Sequence, residues 1–132
     1  KALFDSGLQP VLCVGETAIE RSNGKTYERV DSQLKLALKD VKTSHIIIAY
    51  EPVWAIGTGV LPSADDAATV HKYIKDRVRE YSGAGCDVLY GGSITPENMK
   101  YFLNTQDIDG VLVGGASAKK DKLSALLSLI SN

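Results

Sequence analysis

A glutamate ends an apolar run in the stretch AYEPVWAIGTG, residues 49–59, and a proline, a tryptophan and two glycines follow it closely. A lone carboxylate in that place suits proton transfer. Stripped of water, it rises in pKa and takes a proton from carbon as a general base. Two glycine pairs stand further on, in YGGS (Tyr90 to Ser93) and VGGAS (Val113 to Ser117). Glycine has no Cβ, so backbone N–H groups can converge on an anion. Gly91, Gly92, Gly114 and Gly115, with the hydroxyl of Ser93, therefore read as a phosphate cradle. Neither motif contains a lysine or arginine, so the grip would rest on oriented amides and a helix start. Between the carboxylate and the cradle, Pro52, Val53 and Trp54 open an eleven-residue connection that closes with Gly57, Thr58, Gly59 and Pro62. Its middle is apolar (Val53, Ala55, Ile56, Val60), which reads as a lid that shuts over a ligand and excludes water. Base, cradle and lid together call for a small phosphorylated substrate. The plainer alternatives are a glutamate turned to solvent, glycines that only turn strands into helices, and a static packed loop.

These groups need a scaffold. Four short runs, VLCVG (Val11 to Gly15), IIIAY (Ile46 to Tyr50), VLYGG (Val88 to Gly92) and VLVGG (Val111 to Gly115), are too short for helices and apolar at consecutive positions. They predict parallel strands covered on both faces. Between them Val30, Leu34, Leu38 and Val41, and again Val70, Ile74, Val78 and Tyr81, step by 4, 4 and 3, which is helix spacing. Leu123, Leu126, Leu127 and Ile130 mark one side of a last helix. Ser63 with Asp66, and Thr95 with Pro96, predict helix starts. The opening KALFDSGLQP reads as the last turns of a helix stopped by Gly7, so the chain is read as a piece of something longer. The order is helix end, then strand and helix four times, with VLYGGS and VLVGGAS as near copies. That predicts an α/β fold with right-handed crossovers. An open sheet and half of an eight-stranded closed barrel both fit. The barrel is favoured, because every strand ends in a chemistry-bearing loop on one rim.

The 132 residues carry a net charge of -1 and are 44% hydrophobic, which gives no footing for nucleic acid or an anionic membrane as partner. No signal segment or membrane-length apolar run is present, so the reading is cytoplasmic. Cys13 and Cys86 lie in apolar runs far apart and read as buried reduced thiols, with no metal site.

The motifs resemble the triosephosphate isomerase family. AYEPVWAIGTG is similar to its signature around the base and lid, VLCVGE to its fifth strand, YGGS to its seventh and GVLVGGAS to its eighth. The resemblance covers residues 1–132 and implies the second half of one (β/α)8 TIM-barrel domain: the end of helix 4, then βα units 5 to 8. It implies an isomerase of glycolysis and gluconeogenesis that interconverts dihydroxyacetone phosphate and glyceraldehyde 3-phosphate, without cofactor or metal, and acts as a homodimer when full length. Glu51 would be the proton shuttle. Pro52, Val53, Trp54, Ala55, Ile56, Gly57 and Thr58 would form the lid, with the amide of Gly57 on the phosphate. Ser93, Gly114 and Gly115 would supply further phosphate donors. Tyr90 and Ser93 would meet the closed lid, Glu16 would hold Trp54 in the open one, and Cys13 would pack beside the site. The family's electrophilic lysine and histidine fall in the other half. His45, before a strand, and His71, on a helix, cannot stand in for them, so this piece alone is expected to be inactive. Lys75 occupies a position where the family usually has an arginine paired with an aspartate near Asp107. Two rivals remain: a non-catalytic phosphate-binding half-barrel, and a different phosphate-binding barrel enzyme, which would share the cradle but not YEPVWAIGTG.

Overall fold

Four parallel strands in sequence order make one sheet in the computed structural model of the chain, which describes residues 2–41 and 45–130. Lys1 and Asn132, the limits of the expected domain, lie outside the described residues. Helix α1 (Ala2–Asp5) ends where Gly7 takes a left-handed φ of 72°, as its sequence predicts. Strand β1 (Val11–Val14) follows, then a short helix α2 (Ala18–Ser22) and α3 (Thr26–Leu38). Strand β2 (His45–Tyr50) leads through a single 3₁₀ turn (Val53–Ala55) to the long helix α4 (Ala64–Ser82). Strand β3 (Gly85–Tyr90), α5 (Met99–Leu103), β4 (Gly110–Val111) and α6 (Lys120–Ile130) complete the order.

The ladder aligns Cys13 with Ala49 and Ala49 with Leu89, so the strands end together on one rim. Ile46, Ile48, Tyr50, Val88 and Tyr90 face a core shared with the helices. Val30, Leu34 and Leu38 on α3, with Val70, Ile74 and Val78 on α4, fill it at the predicted spacing. Arg77 of α4 ties the two helices together, its Nε 2.6 Å from Asp31, which also accepts from the Tyr81 hydroxyl at 2.6 Å.

Four readings need correction. The strands are not all covered on both faces: Val11 and Cys13 on β1 and Asp87 on β3 are exposed, on the face turned away from the helices, whereas Ala49 on β2 is wholly buried. For the same reason the expected burial of the thiols fails, with Cys13 exposed and Cys86 half-buried. The fourth run pairs only at Gly110 and Val111, and the third begins at Gly85, three residues earlier than its apolar core. Helix α5 begins at Met99 rather than at Pro96. A turn intervenes in which the Asn98 side chain accepts from the Thr95 N–H at 2.9 Å and donates to the Ser93 carbonyl at 2.9 Å. Leu123, Leu126, Leu127 and Ile130 share one side of α6 as expected, with Leu126 buried and the other three lining an apolar groove. Among the described residues no helix is long and apolar enough to cross a membrane.

Candidate active site at the strand ends

Glu51 sits one residue past β2, and its backbone continues the ladder on both sides. Its N–H donates to the Val14 carbonyl at 2.7 Å, and the Gly91 N–H donates to the Tyr50 carbonyl at 2.8 Å. Two glycines make room for it. A Cβ on Gly15 would overlap the Glu51 carbonyl, and a Cβ on Gly91 would lie 2.5 Å from the Glu51 Cγ. The carboxyl group thus rests against bare backbone, half-buried at the rim. Cys13 stands beside it. Partial burial, and then the neighbouring Glu51 carboxylate, push the Cys13 thiol up, so it stays protonated.

The connection after Glu51 is anchored at its first turn. Glu16, wholly buried, accepts from the Trp54 Nε1–H at 2.9 Å and from the Tyr50 hydroxyl at 3.0 Å. Burial and the Glu16 carboxylate push the Tyr50 phenol far up. Arg21 on α2 covers the indole face, its guanidinium carbon 4.4 Å from the ring centroid. Pro52 and Ala55 are buried, and Val53, Ile56, Val60 and Leu61 are exposed. Gly57 and Gly59 take left-handed φ values of 67° and 76°.

Ser93 joins this connection to the rim of β3. Its hydroxyl donates to the Ala55 carbonyl at 2.6 Å and accepts from the Gly59 N–H at 3.4 Å. Past β4, Gly114 and Gly115 are exposed, with no atom near where a Cβ would stand. Glu51, Ser93 and these glycines therefore follow the ends of three adjacent parallel strands.

A family model described as triosephosphate isomerase matches residues 1–130. The chain belongs to the triosephosphate isomerase family. A triosephosphate isomerase of Mesomycoplasma hyorhinis is 48% identical over 91% of this chain and 48% of its own length. That of Xanthobacter flavus is 46% identical over 90% and 49% respectively, and that of Aquifex aeolicus 40% identical over 96% and 53%. The chain spans about half the length of the curated relatives it matches. The parallel sheet with alternating helices is accordingly part of a TIM barrel.

Of the residues tied to triosephosphate isomerase by resemblance, Glu16, Trp54 and Thr58, and separately Ala55 and Ser93, are joined by hydrogen bonds at the connection after Glu51, Thr58 through its hydroxyl to the Trp54 carbonyl at 2.9 Å. Tyr90 lies apart from them. Its ring stacks on Phe102 with centroids 4.1 Å apart, and its buried hydroxyl has no partner among the described residues. Lys75 pairs with Asp109 at 2.9 Å more closely than with Asp107 at 3.8 Å. His45 opens β2 at the opposite end of the sheet, and the side chain of His71 is wholly buried between Tyr50 and Tyr90. Sequence reasoning missed Tyr50, whose partner Glu16 lies thirty-four positions earlier, and Arg21, whose partner Trp54 lies thirty-three positions later. It also missed α2, although Thr17 and Glu20 form a capping box that their spacing spells out.

Proposed function

We propose that the protein of which this chain forms half interconverts dihydroxyacetone phosphate and glyceraldehyde 3-phosphate, with Glu51 as the proton shuttle. One observation carries the reading: the Glu51 carboxyl is seated against Gly91, at the end of a strand bonded on both sides, with an apolar connection beside it. A rigid seat at the rim aims the carboxylate at one carbon, and closure of the lid over residues 52–58 removes the water that would compete for it. The amide of Gly57, the Ser93 hydroxyl and the amides of Gly114 and Gly115 hold the phosphate, and no cofactor or metal takes part. The electrophiles that polarise the carbonyl come from the other half. This chain alone therefore leaves the developing oxyanion unstabilised and turns over no substrate. The whole protein acts as a cytoplasmic homodimer.

The test joins the chain to the half that completes the barrel. Glu51→Gln in that enzyme should lower kcat by about a thousandfold while a phosphate-bearing competitive inhibitor binds as before. Retention of the rate would refute Glu51 as the base. Phosphate binding without any turnover in the unaltered protein would point instead to a non-catalytic binding barrel.

A further inference from the structure

We infer that Arg21 is a positioning residue that holds the first turn of the lid and so sets how readily it leaves the arrangement seen here. Three contacts converge on its guanidinium. The ring of Trp54, in the lid's first turn, lies under it at 4.4 Å. Its Nη1 is 3.7 Å from Oε1 of Glu16, the oxygen that also receives the indole N–H. Its Nη2 is 3.9 Å from Asp66, in the first turn of α4 just beyond the lid's last residues. The indole is therefore held twice, by its N–H through Glu16 and by its face through Arg21.

The contacts are unequal. The Asp66 pair is long and exposed and contributes little. The indole contact is a cation over a partly covered ring, the geometry in which such attraction is appreciable. Glu16 is wholly buried and needs a counter-charge, which Arg21 supplies whether or not Trp54 stays in place. Arg21 thus makes departure of the tryptophan tolerable for Glu16 while opposing it directly.

The inference rests on residues 52–62 being a lid, but its test does not depend on turnover. Trp54 is the sole tryptophan, so its emission reports attachment of the lid's first turn. In this chain Arg21→Met should shift the emission to longer wavelength and raise acrylamide quenching about twofold or more, with the far-ultraviolet dichroism retained. Wild-type quenching in a folded Arg21→Met would overturn the inference. Arg21→Lys keeps a charge for Glu16 but lacks the planar group that lies over the indole. It should fold as the parent does and quench more readily, and a result equal to the parent would count equally against the inference. Failure of the proposed function shows separately, as an enzyme whose rate survives Glu51→Gln.

Discussion

A methyl group at position 91 would occupy the space of the Glu51 side chain, so the role of that glycine differs from the one its motif suggests. It was legible as a phosphate cradle. Its structural reason is room for the carboxylate, which no local pattern could reveal because Glu51 lies forty positions earlier. Gly91→Ala is expected to displace Glu51, lowering the rate of the assembled enzyme by about a hundredfold and stability by about 1–3 kcal/mol, as steady-state kinetics and thermal melting would show. Glu51 reads as the base from its place at the end of an apolar run, against a plainer reading as a strand-ending glutamate turned to solvent, and the structure seats it half-buried against Gly91. His71 offers a second measurement. Burial drives it down to about 4 from 6.5. The unfolded chain takes up that proton near pH 6.5 and the folded chain only near 4. This contribution to stability is full above about 6.5 and declines as pH falls between those values, by about 3 kcal/mol in total. Urea titrations between pH 7 and 4 should show the decline, and His71→Leu should flatten it.

Among the elements, the helices with a continuous apolar stripe were predicted well, because burial on one face repeats every turn whatever the partner. Helix α4 also begins where its cap predicts: the Ser63 hydroxyl accepts from the Asp66 N–H at 3.0 Å, and Ser63→Ala should cost about 1 kcal/mol in a denaturant melt. Elements whose limits depend on distant groups were not legible. Helix α5 starts late because Asn98 bonds across to Ser93 and Thr95, and β4 is short because only β3 pairs with it. The lid shows a similar division. Its apolar content was plain in the sequence, but the anchoring of its first turn through Glu16, Tyr50 and Arg21 arises from three separate elements. Gly57→Ala would place a side chain at a φ of 67°, costing about 1 kcal/mol and slowing closure, which stopped-flow Trp54 emission would resolve.

For the molecule as a whole, the order of strands and helices was readable from alternation alone. Among the described strands β1 and β4 each pair on one side only, and apolar grooves flank both: one beside Leu3, Phe4 and Val11, the other beside Val111, Leu123 and Ile130. Exposed edges and apolar flanks favour association, so the chain by itself should sediment as larger species with rising concentration. A monomer that melts cooperatively at every concentration would contradict this. The Lys75 to Asp109 pair has a different consequence. One carboxylate oxygen of Asp109 receives Lys75, and the other accepts the Val88 N–H at 2.7 Å, a donor that a longer β4 would otherwise satisfy. Sliding β4 along its neighbour would evict that side chain and orphan the amide. The Asp109 side chain thus adds to the backbone bonds from the Asp109 N–H to Val88 and from the Leu112 N–H to Tyr90 in keeping the last βα unit in step with the other three.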